Sequence, residues 1–425
     1  MTEVTQPEDL TNPEKVKRWY GIDILRGIGI IGVILLHGII SNYSQLDELD
    51  LDNLPPLFMV LYLVDFWGGI YALISGTVNI YAIYRHSISA KDHLDKKQYE
   101  EYRWKYLFKY GFILLLLHFL YHYALGPTYH NFETKIHKYA LIPGILTNGW
   151  GYSVLPERMV LGSSLSMIAL NLLALGLLAF WLFKNNPQQK LKRNKRIFLI
   201  LGSIFIVFAF FQIPLGVIHT NLTEAENYFS ALILGLLIGY PYPFFPFFGY
   251  GCIGAYLALV LADKPTKKTL RRQLLLMIPF LIIGVIAFML PNAFYEKYHL
   301  LDEIFMSYIM VNINIALFIL FLFIAIRVAD FSNLRSMIID EEKPSKFLHF
   351  FITLGQHSLI IFLLETVVRE IIAFGLTAVF PGWNDSVLNC FIFGGSLVIM
   401  WIVIVIILGK MKWSLNNKKW KKIGP

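Results

Sequence analysis

The sequence predicts an all-α, polytopic membrane bundle of about ten transmembrane helices with both termini in the cytoplasm. Hydrophobic residues make up 56% of the 425 and aromatic residues 16%, with a mean hydropathy of +0.57, above the soluble range. Ten apolar segments are each long enough for a hydrocarbon core of roughly 30 Å, which takes about 20 helical residues. The basic residues then sort by side. Thirty of the 37 Lys and Arg fall in 15–18, 85–105, 184–196, 264–272, 327–346 and the tail from 410, six segments that alternate between spans. The opposite loops hold only Lys135, Lys138 and Lys297. This is the positive-inside pattern, and an even number of spans returns both termini to one side. It also explains the net charge of +8 by topology and lipid headgroups, which removes nucleic acid as a partner.

The expected spans are 20–43, 56–84, 104–126, 155–183, 196–218, 230–262, 271–291, 305–328, 348–377 and 387–409. Residues 1–18 form a cytoplasmic tail, 19–410 the ten-helix transmembrane domain and 411–425 a basic cytoplasmic tail. The first apolar run lacks a small-residue cleavage site and is expected to stay as an anchor. Cys252 and Cys390 sit in apolar runs and read as small packed hydrophobes.

The first span, WYGIDILRGIGIIGVILLHGIISNY, carries three groups that lipid tolerates poorly: Asp23, Arg26 and His37. A charge at mid-membrane costs about 2.5 to 3.5 kcal/mol on insertion scales, so such groups face a protein interior or a wet cavity. Arg26 and His37 are three helical turns apart, so they share a face about 16 Å apart, and Asp23 is within pairing distance of Arg26. Gly27, Gly29, Gly32 and Gly38 admit close neighbours. This helix should be central and polar on one side.

In the second span Asp65, Gly69, Ala72, Gly76 and Asn79 share a small or polar face. Asp65 and His37 both fall near the outer ends of their helices, where a carboxylate would fix the imidazole as a general base. The competing reading is a pair that simply joins two helices. In the third span His118 and His122 share a face at i, i+4; two ligands do not make a metal site, and structural hydrogen bonds are the expectation. Arg158, at the outer boundary of the fourth span, either recognises a substrate or snorkels to headgroups. YPYPFFPFFGYG in the sixth span holds Pro241, Pro243 and Pro246 and predicts a broken helix beside a cavity. Glu365 and Arg369, four residues apart in the ninth span, read as a self-neutralising pair. The outer loop from Gly126 to Ser153 reads as a solvated loop before it reads as a cap. At the cytoplasmic ends Arg26, Arg103 and Lys105 suit phosphate, with solvated basic residues as the plainer reading.

Six stretches in order resemble the heparan-α-glucosaminide N-acetyltransferase catalytic-domain family: GIDILRGIGIIGVILLHG, DFWGGIYALISG, YRWKYLFKYGFILLLL, VLPERMVLG, FFPFFGYGCIGAYLA and LGQHSLIIFLLE. The related acyltransferase-3 proteins share the Arg-Gly and Ser-Gly elements. The resemblance implies a membrane acyltransferase that takes an acetyl or other acyl group from cytoplasmic acetyl-CoA (acyl-CoA) to an amine or hydroxyl of a sugar or glycan on the far side. It places Asp23, Arg26, His37, Asp65, Arg103 and Arg158 on family motif positions. Two departures stand out. Residues 41–57 lack the His that animal lysosomal members carry before the second helix, and Glu365 stands where the family has a His.

The expected site therefore has His37 and Asp65 as catalytic residues, Arg158 and Asn79 against the acceptor, and Asp23, Arg26 and Arg103 around the CoA donor, without a metal. Transfer should be direct, because neither cysteine has a placed activating base. Membrane lipid and a glycan acceptor are the expected partners, with homodimerisation as a further option. A transporter or flippase for a polar lipid or glycan is the alternative; it explains the polar face and the broken helix but lacks a matching repeat.

Overall fold

A computed structural model of the chain describes residues 18–44, 67–91, 96–126, 129–131, 136–160, 162–184, 187–238, 242–263, 265–289, 299–331 and 346–421. The chain is a helical membrane bundle, as the sequence predicts. Its main helices are α1 (Tyr20–Ile40), α2 (Gly68–Lys91), α3 (Lys96–Leu120), α4 (Leu141–Asn148), α5 (Ser164–Phe183), α6 (Leu191–Val207) and α7 (Gln212–Glu224). They are followed by α8 (Tyr228–Ile238), α9 (Phe244–Ala262), α10 (Lys267–Gln273), α11 (Met277–Met289), α12 (His299–Phe331), α13 (Lys346–Val379) and α14 (Val387–Lys421).

Among the described residues seven helices are long and apolar enough to cross a membrane. They match seven expected spans, and the described parts of the other three are also helical: α2, the pair α6 and α7, and α13. The pairings fit the alternation. α1 runs parallel to α13, as spans one and nine should, with Arg26 against Ser358 and His37 against Glu365, and it also packs on α12 and α14.

Three boundaries differ from expectation. The span expected from 155 opens with one short helical turn, Pro156–Met159, and its long helix starts at Ser164, where Ser163 caps it: the Ser163 hydroxyl accepts from the Leu165 and Ser166 amides. The fifth span is interrupted by a 3₁₀ turn, Phe208–Phe211. The sixth splits into α8 and α9, with Phe245 held extended inside the first turn of α9. The described residues at the break pack on rings, with Phe205 stacked on Phe245 at 5.2 Å and edge-on to Phe248 at 4.8 Å.

α1 is central because it joins two cores. Trp19, Ile22 and Leu25 belong to the large core built with α2, α5, α9 and α12, while Ile30 and Ile34 belong to a second core with Leu354 and Ile361 of α13 and Leu397 and Trp401 of α14. Its first turn leaves amide hydrogens without helical partners. Asp330, at the end of α12, takes two of them: the Tyr20 and Gly21 amides each donate to it at 3.0 Å.

The described parts of the outer loop carry regular structure. Tyr129–Asn131 and Ile136–Lys138 pair as an antiparallel hairpin, and α4 lies against α13. The Tyr152 hydroxyl donates to the Tyr139 carbonyl at 2.9 Å, and burial together with the nearby Glu370 carboxylate raises the Tyr139 phenol above its ordinary range.

Candidate active site

The site begins with two close backbone crossings. A Cβ added at Gly27 would lie 2.2 Å from the Phe351 carbonyl oxygen, and one at Gly355 only 2.0 Å from that of Asp23. Glycine at both positions lets α1 and α13 run side by side, so polar side chains further along the two helices meet.

They meet at His37. Its Nδ1 is 2.9 Å from Oε2 of Glu365, whose side chain is fully buried, while the imidazole keeps 21% of its surface exposed. Thr366 Oγ1 donates to the same carboxylate oxygen at 3.3 Å. Arg369 donates through one nitrogen to the His37 carbonyl at 2.8 Å and through another to Glu370 at 2.7 Å. Its Nε is 3.9 Å from Glu365 Oε1, so the expected Glu365–Arg369 pair is the looser contact and the interhelical one with His37 is the tighter. A carboxylate only accepts, and a neutral imidazole donates from one nitrogen and accepts at the other. Glu365 at Nδ1 therefore leaves Nε2 with the lone pair. Asp65, the expected partner of His37, lies outside the described residues.

A second buried cluster lies one helix away. His118 Nδ1 is 2.8 Å from the Ser163 hydroxyl, and the His118 and His122 rings are 4.4 Å apart. Arg158 is completely buried and donates from Nε to the His122 carbonyl at 2.7 Å, so it does not snorkel. His122 Nδ1 is 3.4 Å from the Arg158 carbonyl, which ties the two segments reciprocally. Tyr121 connects the clusters, with its hydroxyl 3.1 Å from Thr366 Oγ1.

At the N-terminal end of α1, Asp23 is held by Arg18 at 2.7 Å and more loosely by Arg26 at 4.0 Å. Arg26 reaches across to donate to the Ser358 hydroxyl at 3.0 Å. Arg103 falls in α3, in a stretch whose side chains are outside the described residues. Asn79 does not join either cluster: it donates to the Ser75 carbonyl at 2.8 Å, within its own helix. The small face of α2 on which it was placed is a packing seam, because a Cβ at Gly76 would lie 2.2 Å from the Gly251 carbonyl of α9.

Sequence reasoning overlooked Arg18, Tyr121, Ser358 and Thr366. For Ser358 a signal was present, since Ser358, Glu365 and Arg369 recur at +7 and +4 and so share one face of α13.

The bundle defines a multi-pass membrane protein with a part-buried imidazole–carboxylate pair towards one end of α1. Residues 19–405 match the acyltransferase-3 family, described as an acyltransferase domain, so the chain belongs to that family and is a membrane acyltransferase. The match is to the acyltransferase-3 family and not to the heparan-α-glucosaminide N-acetyltransferase family that the six motifs resemble. No curated protein matches the sequence.

Proposed function

We propose that the protein moves an acyl group, in the simplest case acetyl, from cytoplasmic acyl-CoA to an amine or hydroxyl of a sugar or glycan on the far side of the membrane. The observation that carries this reading is the 2.9 Å contact between His37 and the buried Glu365. His37 Nε2 takes the proton from the acceptor as its oxygen or nitrogen attacks the thioester carbonyl, Glu365 stabilises the imidazolium that forms, and the C–S bond then breaks with that proton passing to the departing CoA thiolate. Glu365 thereby fills the role expected of Asp65, whose place at the site remains part of the proposal.

Arg26, with Arg103 from α3, suits the phosphates of the donor at the basic end of the bundle, and Asp23, 4.0 Å from Arg26, helps to orient its guanidinium. Arg158 suits the acceptor at the other end, where its buried guanidinium adjoins the two histidines. The resemblance to sugar N-acetyltransferases supports an amino sugar or glycan, and a lipid-linked glycan or a homodimer fits the same reading.

Purified protein given radiolabelled acetyl-CoA and a panel of amino sugars should release CoA thiol only with a suitable acceptor. His37→Ala should abolish that release while the protein still folds. Full turnover in the variant removes His37 from the mechanism. Movement of the sugar across vesicles with no thiol release favours transport instead.

A further inference from the structure

We propose that Tyr121 and Thr366 are positioning residues for the His37–Glu365 pair, holding the carboxylate so that the imidazole stays in the tautomer with Nε2 bare. The kinetic consequence rests on the reading of His37 as the base; the tautomer itself does not.

Each hydrogen in this group has one direction open to it. Glu365, as a carboxylate, only accepts, so Thr366 Oγ1 and His37 Nδ1 both donate to Oε2, at 3.3 and 2.9 Å. The single hydroxyl hydrogen of Thr366 is then engaged. At its 3.1 Å contact with Tyr121 the threonine oxygen must accept, and the phenol donates. The result is one oriented run from the Tyr121 O–H through Thr366 to Glu365, met from the other side by His37. It crosses α3, α13 and α1. Tyr121, Thr366 and Glu365 are all buried, where hydrogen bonds strengthen one another.

The backbone shows why Tyr121 reaches this place. α3 ends at Leu120, and Tyr121–Leu125 forms a π-helical turn closed by the Gly126 amide donating to the Tyr121 carbonyl at 2.6 Å. Single π turns recur at functional sites because the wider turn re-aims the side chains after it. The Tyr121 ring then packs on Phe362 at 5.4 Å, one turn before Thr366 on α13, which fixes the phenol against its acceptor. Gly126 at the end of the turn lies against Arg158, where an added Cβ would come within 2.7 Å of the guanidinium. The same turn thus sets both clusters.

The test is the ¹⁵N spectrum of histidine-labelled protein in lipid discs, with the His37 ring assigned by its loss in His37→Gln. The wild type should show the Nδ1–H tautomer. Tyr121→Phe keeps the ring and its packing and should give a mixture of tautomers; Thr366→Val should do the same and Thr366→Ser should restore the wild-type signal. In acyl transfer, Tyr121→Phe and Thr366→Val should each lower kcat about tenfold, the size of effect one hydrogen bond controls, with KM held within about twofold. An unchanged tautomer in both Tyr121→Phe and Thr366→Val overturns the proposal whatever the activity does. A shifted tautomer with undiminished turnover in those variants and in His37→Gln upholds the positioning role and overturns the assignment of His37 as base.

Discussion

Glu365 separates charge from shape at the centre of the site. Glu365→Gln keeps the side-chain volume and one acceptor oxygen but removes the charge that stabilises a protonated His37. Turnover should fall by about 10² or more, within the range general base catalysis supplies, while the fold survives; a melting curve and a thiol-release assay check both halves. Glu365→Ala goes further and strips a buried cation of a neighbour. Arg369 retains Glu370 at 2.7 Å, which limits the damage, so the loss should lie towards the lower end of the 3 to 5 kcal/mol that breaking a buried pair costs, read as a lowered melting temperature. The sequence placed Glu365 beside Arg369 because four-residue spacing is visible along one helix. It could not show that the tighter partner, His37, is 328 positions away, since periodicity says which face a residue occupies and nothing about what packs there.

At the scale of the helix, close approach decides what can stand at a crossing. A Cβ at Gly38 would lie 2.7 Å from the Gly394 Cα of α14, whereas one at Gly395 meets nothing within 4 Å. Gly38→Val should therefore push α1 and α14 apart and destabilise by about 1 to 3 kcal/mol, the usual result of overpacking, and should disturb His37 one residue earlier. Gly395→Ala, next to the same crossing, should leave the melting temperature unchanged, so equal losses from the two variants would deny the crossing its special role. Small residues in α1 did reveal these contacts from sequence alone. In α2 the same signal, at Gly69 and Gly76, did not say what approaches that face. Small residues report that something comes close, and a helix backbone satisfies that as readily as a ligand; at Gly76 it is the backbone of α9. The prolines of the sixth span were likewise correct about the break and silent about the aromatic rings that fill it.

At the scale of the molecule, the two cores are joined through α1, and the outward surface is an apolar belt that includes Phe112, Leu116, Ile282, Ile399 and Val403. Composition and the asymmetry of basic residues made this architecture legible early, because lipid imposes hydrophobic length and the cytoplasmic side collects Lys and Arg regardless of detail. The orientation has a direct chemical consequence: His37, near the end of α1 away from the basic loops, must face the far side if the acceptor is to reach it there. Two engineered cysteines test this, since native Cys252 and Cys390 are buried and should stay silent. Trp150 is 91% exposed in the loop beside α4, and Gln188 is exposed between α5 and α6. In intact cells an impermeant maleimide should label Trp150→Cys at once and Gln188→Cys only after permeabilisation. The reverse pattern would turn the bundle over, put the imidazole on the cytoplasmic side with the donor, and leave a far-side glycan with no base to deprotonate it.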